Sequence, residues 1–445
     1  RHVLDAGSSF GSGGAQPSER ILLEFVSANP TAVLVAASGR HAAYGDSLAR
    51  ILQHHGHRVS REYYFNDAGS QIRRLGESVQ ARAAGQEPPE DGYQGDYVFD
   101  LAKQIDGAAT APVDEVAARA VAILLAQIKQ TLVRYRVSFD TFFSERTLHD
   151  GSPSQLEQAI DQLRSAGHVY DHEGAVWLRT TTFGDDKNRV LVRSDGQPTY
   201  FAADVAYMAN KRARGYTRQL LPVGADHHGY VARLKAAFQA LGNDPELLEP
   251  LIIQFVHLVE GDERTAMSKR RGEFVTLDAL IDQIGVDATR YFMLQSSHDR
   301  TLDLNLDLAG SKSADNPVYY IQYAHARIAS MLQRLGYQRV QEALAHGAQW
   351  SSPAGELQVA ERDLIKKLLA LPEEIAEAAE QRAPHRIAAY ALELAQTFTV
   401  FYRDCKVVGA EPATVESLRI ALCVATRTQL AVVLGLLGVS APDAM

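Results

Sequence analysis

Cysteine is nearly absent. The 445 residues hold two, Cys405 and Cys423. Two thiols so placed exclude a disulfide framework and lack metal-ligand spacing, so they read as reduced, buried residues of a cytoplasmic protein. No stretch of about 18 consecutive apolar residues occurs, so no membrane span is expected. No internal repeat or low-complexity tract is present, and nothing resembles a secretory leader. Positive charge is in deficit, with 45 Lys and Arg against 54 Asp and Glu and a net charge of −9. That balance excludes binding of nucleic acid by bulk charge, while leaving room for a local basic face.

What is present is ample apolar material, 46% of the chain, enough for two or three domains at this length. Residues 1–20 are rich in Gly and Ser and read as a leader or loop. Ile21 to Val26 is an apolar run that predicts a buried parallel strand. A turn at Asn29-Pro30 follows. A helix beginning near Gly39 then turns Leu48, Ile51 and Leu52 inward and stops at Gly56. A second strand is expected from Val59 to Tyr64. Strand, loop, helix, strand is the opening half of a doubly wound nucleotide-binding fold, whose ligands sit at the carboxyl ends of the strands.

The remaining chain divides by pattern. The expected fold is α/β. A doubly wound, parallel, Rossmann-like nucleotide-binding domain covers 21–90 and 196–310, and 91–195 is inserted into it. An α-helical bundle fills 311–445. Within the insertion, Val113 to Arg134 shows a helical apolar stripe. Val169 to Val192 alternates like short antiparallel strands. Leu220 to Gly224 and Leu251 to Val259 each read as one further strand. Glu24 stands in an otherwise apolar strand, and a buried carboxylate needs a partner.

Several stretches occur together and in order: Glu24-Phe-Val-Ser-Ala-Asn-Pro-Thr31, Tyr63-Tyr-Phe-Asn-Asp-Ala-Gly69, Ala225-Asp226-His227-His228-Gly229, Met267-Ser268-Lys269-Arg270 and Asn316-Pro-Val-Tyr-Tyr-Ile-Gln-Tyr-Ala-His-Ala-Arg327. This set resembles the arginyl-tRNA synthetases, a family of class I aminoacyl-tRNA synthetases. The likeness runs from about Glu24 to Pro442. It departs at one place: where the family has His-x-Gly-His, this chain has Val35-Ala36-Ala37-Ser38. The two histidines would donate to ATP phosphates, and loss of one such donor costs about 10² to 10³ in rate. Slower adenylate formation is the expectation.

The resemblance implies activation of arginine with ATP, Mg²⁺ arriving with the nucleotide, and transfer of arginine to tRNA(Arg). A guanidinium asks for planar carboxylate acceptors. Asp204 and Glu145 are the candidates, with Tyr200 one helical turn before Asp204. Ser27 and Asn29 would hold the amino acid's backbone groups, although Asn before Pro is also ordinary turn chemistry. Gly39, Gly224, Asp226, His228 and Lys269 are assigned to ATP. Met267, Ser268, Lys269 and Arg270 would form the mobile catalytic loop that neutralises departing pyrophosphate. No resident metal site is expected, because the His227-His228 pair lacks a third ligand at metal spacing. The bundle would read the anticodon, although from Pro317 onward 12 Lys and Arg face 13 Asp and Glu. A cytoplasmic monomer with no membrane partner is expected. The same residues also suit a non-catalytic arginine- or tRNA-binding relative, or an enzyme activating arginine for another pathway.

Overall fold

A computed structural model describes residues 1–261, 263–265, 275–345 and 357–445, with backbone alone at 226–228 and 263–265. Three parallel strands open the chain: β1 (Arg20–Glu24), β2 (Arg58–Phe65) and β3 (Thr141–Ser144). β4 (Val169–His172), β5 (Ala175–Leu178) and β6 (Arg189–Val192) pair antiparallel in a small sheet of their own. β7 (Arg218–Gly224) and β8 (Leu248–Ile253) return to the first set. The main sheet has the order β3-β2-β1-β7-β8, all parallel. The chain therefore winds one way from β1 to β3 and the other way from β7 to β8. The crevice between β1 and β7, beyond their carboxyl ends, is where such a sheet binds ligands. β9 (Val256–Glu260), β10 (Glu263–Thr265) and β11 (Leu302–Asn305) form a third sheet.

β1 ends at Glu24, two residues sooner than the apolar run suggests. Val26 and Ser27 take φ of 67° and 42°, and the Ser27 amide bonds back to the Phe25 carbonyl. That is a γ-turn with a β-branched centre, a strained conformation of the kind that gathers at functional sites. The helix Ala36–His55 starts three residues before Gly39 and stops at Gly56, whose φ is 115°. It packs directly over β1 because Gly45 has no side chain: a Cβ there would lie 2.2 Å from the Phe25 ring.

Three further expectations need correction. The stretch 91–195 is not wholly an insertion, because β3 pairs with β2 in the main sheet. Residues 1–20 include the short helix His2–Ala6, and Val3 and Phe10 are buried. Leu251 to Val259 is two strands in two sheets, β8 and β9. The break between them is held by Arg40, which donates to the carbonyls of Gln254 at 2.9 Å and Ser297 at 2.8 Å.

From Pro317 the described chain is helical, with long helices at Pro317–Leu335, Pro384–Asp404 and Ala413–Leu437. One apolar core joins this bundle to the nucleotide fold; Leu23 and Leu48 belong to the same cluster as Leu394 and Leu430. Arg290 bolts the two together. It donates to Asp46 at 2.6 Å, to the Leu437 carbonyl at 2.9 Å and to the Tyr135 carbonyl at 2.9 Å. Both Arg290 and Asp46 are 0% exposed. Two helices, Val113–Arg134 and Ala413–Leu437, are long and apolar enough to cross a membrane by length and composition, although neither is an unbroken apolar run. In the second, 67% of the most apolar window is buried, so that surface is used in the core.

Candidate active site

The crevice at the β1–β7 switch point is a cavity of about 500 Å³. It brings together six of the residues picked from the sequence: Ser27, Asn29, Glu145, Tyr200, Asp204 and Gly224. Each is delivered by the end of an element. Ser27 and Asn29 leave β1, Glu145 follows β3, and Gly224 ends β7. The helix Tyr200–Ala213 begins at the cavity, capped by the Thr199 hydroxyl on the Ala202 amide. Tyr200, Asp204, Tyr207 and Lys211 fall along one stripe of it, and all four line the cavity.

The side chains are already organised. Glu24 accepts from Lys211 at 2.5 Å and from the Ser27 hydroxyl at 3.1 Å. The partner that a carboxylate in an apolar strand demands is thus Lys211, whose ammonium also lies 3.9 Å from the Tyr207 ring. The Ser27 hydroxyl in turn accepts from the Tyr64 amide at 3.1 Å. The Asn29 carbonyl oxygen accepts from the Asn66 amide at 3.2 Å, and its amide donates to Gln71 at 3.0 Å. Asn29 therefore does turn work as well as lining the cavity.

Asp204 accepts from the Tyr230 hydroxyl, not from Tyr200, which is exposed at the rim. Burial pushes the Asp204 carboxyl up to about 7; the Tyr230 bond opposes the shift, while Glu24 and Glu145 add to it. Glu145 accepts from the Tyr64 hydroxyl at 2.6 Å. Burial raises its pKa as well, with Tyr64 and His149 pulling the other way. Among the described lining residues there are three carboxylates and one ammonium, and the ammonium belongs to Glu24. Among the described residues, Asp204 and Glu145 accept from the phenols of Tyr230 and Tyr64, and Glu145 also has the His149 imidazole at 3.8 Å. Such a site favours a cationic guest that can meet two carboxylates.

Other expected residues fall elsewhere. Gly39 does not line the cavity; a Cβ on it would meet Leu277 at 2.8 Å, so its small size serves helix packing. Asp226 and His228 belong to the short turn after β7, and their side chains lie outside the described residues, as do Met267, Ser268, Lys269 and Arg270 altogether. Lys211, Tyr64 and Tyr230 were not singled out from the sequence. Lys211 was reachable, being two helical turns beyond Asp204 on the same face. Tyr230 was not, since 26 residues separate it from its partner.

A second concavity, about 320 Å³, lies between the helices Pro317–Leu335 and Pro384–Asp404. Its walls include Tyr319, Tyr323, Arg327, Tyr402 and Lys312. The Tyr319 and Tyr323 rings are nearly parallel with centroids 6.4 Å apart, and Arg327 lies 4.5 Å over Tyr402. Tyr323 is 48% exposed.

Residues 12–306 match the family tRNA synthetases class I (R), catalytic domain. Residues 321–445 match the DALR anticodon binding domain. An arginine–tRNA ligase from Frankia alni is 48% identical over 461 residues, spanning 100% of this chain and 82% of that protein. One from Kineococcus radiotolerans is 44% identical, spanning 100% and 81%. A solved Campylobacter jejuni chain named as an arginyl-tRNA synthetase superposes with a TM-score of 0.89 at 34% identity, covering 100% of this chain and 98% of that one. The Thermus thermophilus arginyl-tRNA synthetase superposes at 0.78 with 23% identity, covering 96% and 83%, a likeness of fold.

Proposed function

This chain belongs to the class I arginyl-tRNA synthetases, the arginine–tRNA ligases, and from that premise we propose how its residues divide the reaction. The substrate guanidinium lies between Asp204 and Glu145, with Tyr200 closing the rim. Ser27, held by Glu24 and Tyr64, and Asn29 orient the ammonium and carboxylate. ATP occupies the β7 side of the cavity, where Gly224 lets its ribose come close and Asp226 and His228 follow in the chain. Magnesium comes with the nucleotide. Lys269 and Arg270, with Met267 and Ser268, act on the triphosphate as pyrophosphate leaves.

The observation that carries this reading is Asp204. Its carboxyl is raised toward neutrality inside the same cavity as Glu145 and Glu24, an unfavourable arrangement that a guanidinium relieves. The bundle takes the anticodon arm, and the tyrosine cleft offers unpaired bases flat faces with Arg327 and Lys312 beside them. The enzyme acts as a cytoplasmic monomer.

The test is charging of total tRNA with labelled arginine or lysine. Arginine alone is expected to be attached, and Asp204→Asn to suppress the charging. Equal charging with lysine, or full activity in Asp204→Asn, would overturn the assignment of the guanidinium to Asp204.

A further inference from the structure

The cavity that holds arginine must also receive a triphosphate, and the described walls are poorly equipped for one. Glu24, Glu145 and Asp204 repel it, and the Lys211 ammonium is engaged 2.5 Å from Glu24. The helix Ala36–His55 reaches this crevice at His41, and its first turn carries only Ala36, Ala37 and Ser38. Its N-cap, Val35, makes no side-chain bond to the free amides. One helical turn further on is His41. It follows Ser38 by three and Ala37 by four, so it shares their face. It lines the cavity together with Ser27 and Gly224. Among the described residues that line the cavity, His41 is the one imidazole.

We propose that His41 is a catalytic residue of adenylate formation, donating a ring N–H to a non-bridging oxygen of the ATP triphosphate. This rests on the reading that ATP enters this cavity. In the step, the arginine carboxylate oxygen attacks the α-phosphorus. The bond from the α-phosphorus to the bridging oxygen of the β-phosphate breaks, and its electron pair leaves with pyrophosphate. No proton is gained or lost; the imidazole stabilises charge that grows on the leaving group, as a preorganised donor does. The chain thus sets a donor one turn along the helix, on the face where its first turn offers small side chains.

The test is tRNA-dependent ATP–pyrophosphate exchange in His41→Ala and His41→Gln, with arginine and labelled ATP affinities measured alongside. His41→Ala should lower the exchange rate constant about 10²-fold. Arginine affinity should stay at the parent value, and the glutamine variant, which keeps an N–H donor, should recover part of the loss. Exchange and ATP affinity both at parent values in His41→Ala would overturn the proposal. If the parent's exchange is below detection, ATP affinity by equilibrium dialysis decides: weaker in His41→Ala supports the role, unchanged refutes it. Gly224→Val separates the two readings. Should it block ATP while His41→Ala does not, only the role of His41 falls. Should neither variant disturb ATP, the nucleotide lies elsewhere and both readings fall.

Discussion

Asp46 and Asp204 are two aspartates withdrawn from bulk water in opposite surroundings. Asp46 is 0% exposed and sits among arginines: Arg290 at 2.6 Å, Arg50 at 2.7 Å and Arg61 at 3.8 Å. Asp204 has a tyrosine hydroxyl and two other carboxylates, and its proton is held to about 7. The first arrangement is complete, and it joins the nucleotide fold to the bundle. In the second, no cation among the described residues makes a hydrogen bond to Asp204. Burial of charge thus marks structure where the partner is built in, and marks a site where the partner must arrive.

The contrast is broken most severely on the structural side. Arg290→Ala removes the fully buried partner of Asp46, leaving it Arg50 and Arg61, and also the donor to the Leu437 and Tyr135 carbonyls; it is expected to cost about 3–5 kcal/mol of stability. Urea denaturation measures this; the folded fraction should bind arginine as the parent does. A loss of arginine affinity without loss of stability would reverse the two roles.

The next effect lies in the pocket. Asp204→Asn should weaken arginine binding by about 2–5 kcal/mol in calorimetric titration, leaving ATP affinity unchanged. It should also leave the fold as stable or more so at pH 7. The sign follows from linkage. A carboxyl whose folded pKa is raised from its usual value near 3.8 to about 7 binds more protons folded than unfolded in that window. Its favourable contribution is full below about 4 and is lost as pH climbs to about 7. Asparagine removes that loss.

These two aspartates also show how far a sequence can be read. The apolar stripe of Val113–Arg134 carries its helix at both ends as expected, because period and length agree. β3 was hidden because it is four residues long and pairs with a strand 76 or more positions earlier. Asp204 was legible as a candidate through its neighbours in the chain. Its partner Tyr230 depends on folding, and no spacing rule gives it. Lys211 lay between these cases: the polar stripe was visible, but its engagement with Glu24 on β1 was not.

Glu145→Gln should be milder than Asp204→Asn, since Tyr64 can still donate to an amide oxygen. About 1.5–3 kcal/mol of arginine affinity is expected to go, read in the same titration. In the bundle, Tyr323→Ala should weaken tRNA binding by about 1–3 kcal/mol, the worth of one stacked base, with arginine affinity measured without tRNA unchanged. A filter-binding assay reads it, and unchanged tRNA affinity would remove the cleft from the interface.

The central claim is that Asp204 awaits the substrate's guanidinium, and proton release on arginine binding tests it most directly. A carboxyl near 7 in the empty site is mostly protonated at pH 6 and mostly ionised at pH 8, and a bound guanidinium drives it to the ionised form. Calorimetric titration with arginine in buffers of different ionisation enthalpy should show up to about one proton released per arginine at pH 6. The release should fall toward zero by pH 8, below the range where free arginine loses its own ammonium proton, with affinity rising from pH 6 to 8 and both trends much reduced in Asp204→Asn. A binding enthalpy independent of buffer from pH 6 to 8 in the parent protein would contradict the account.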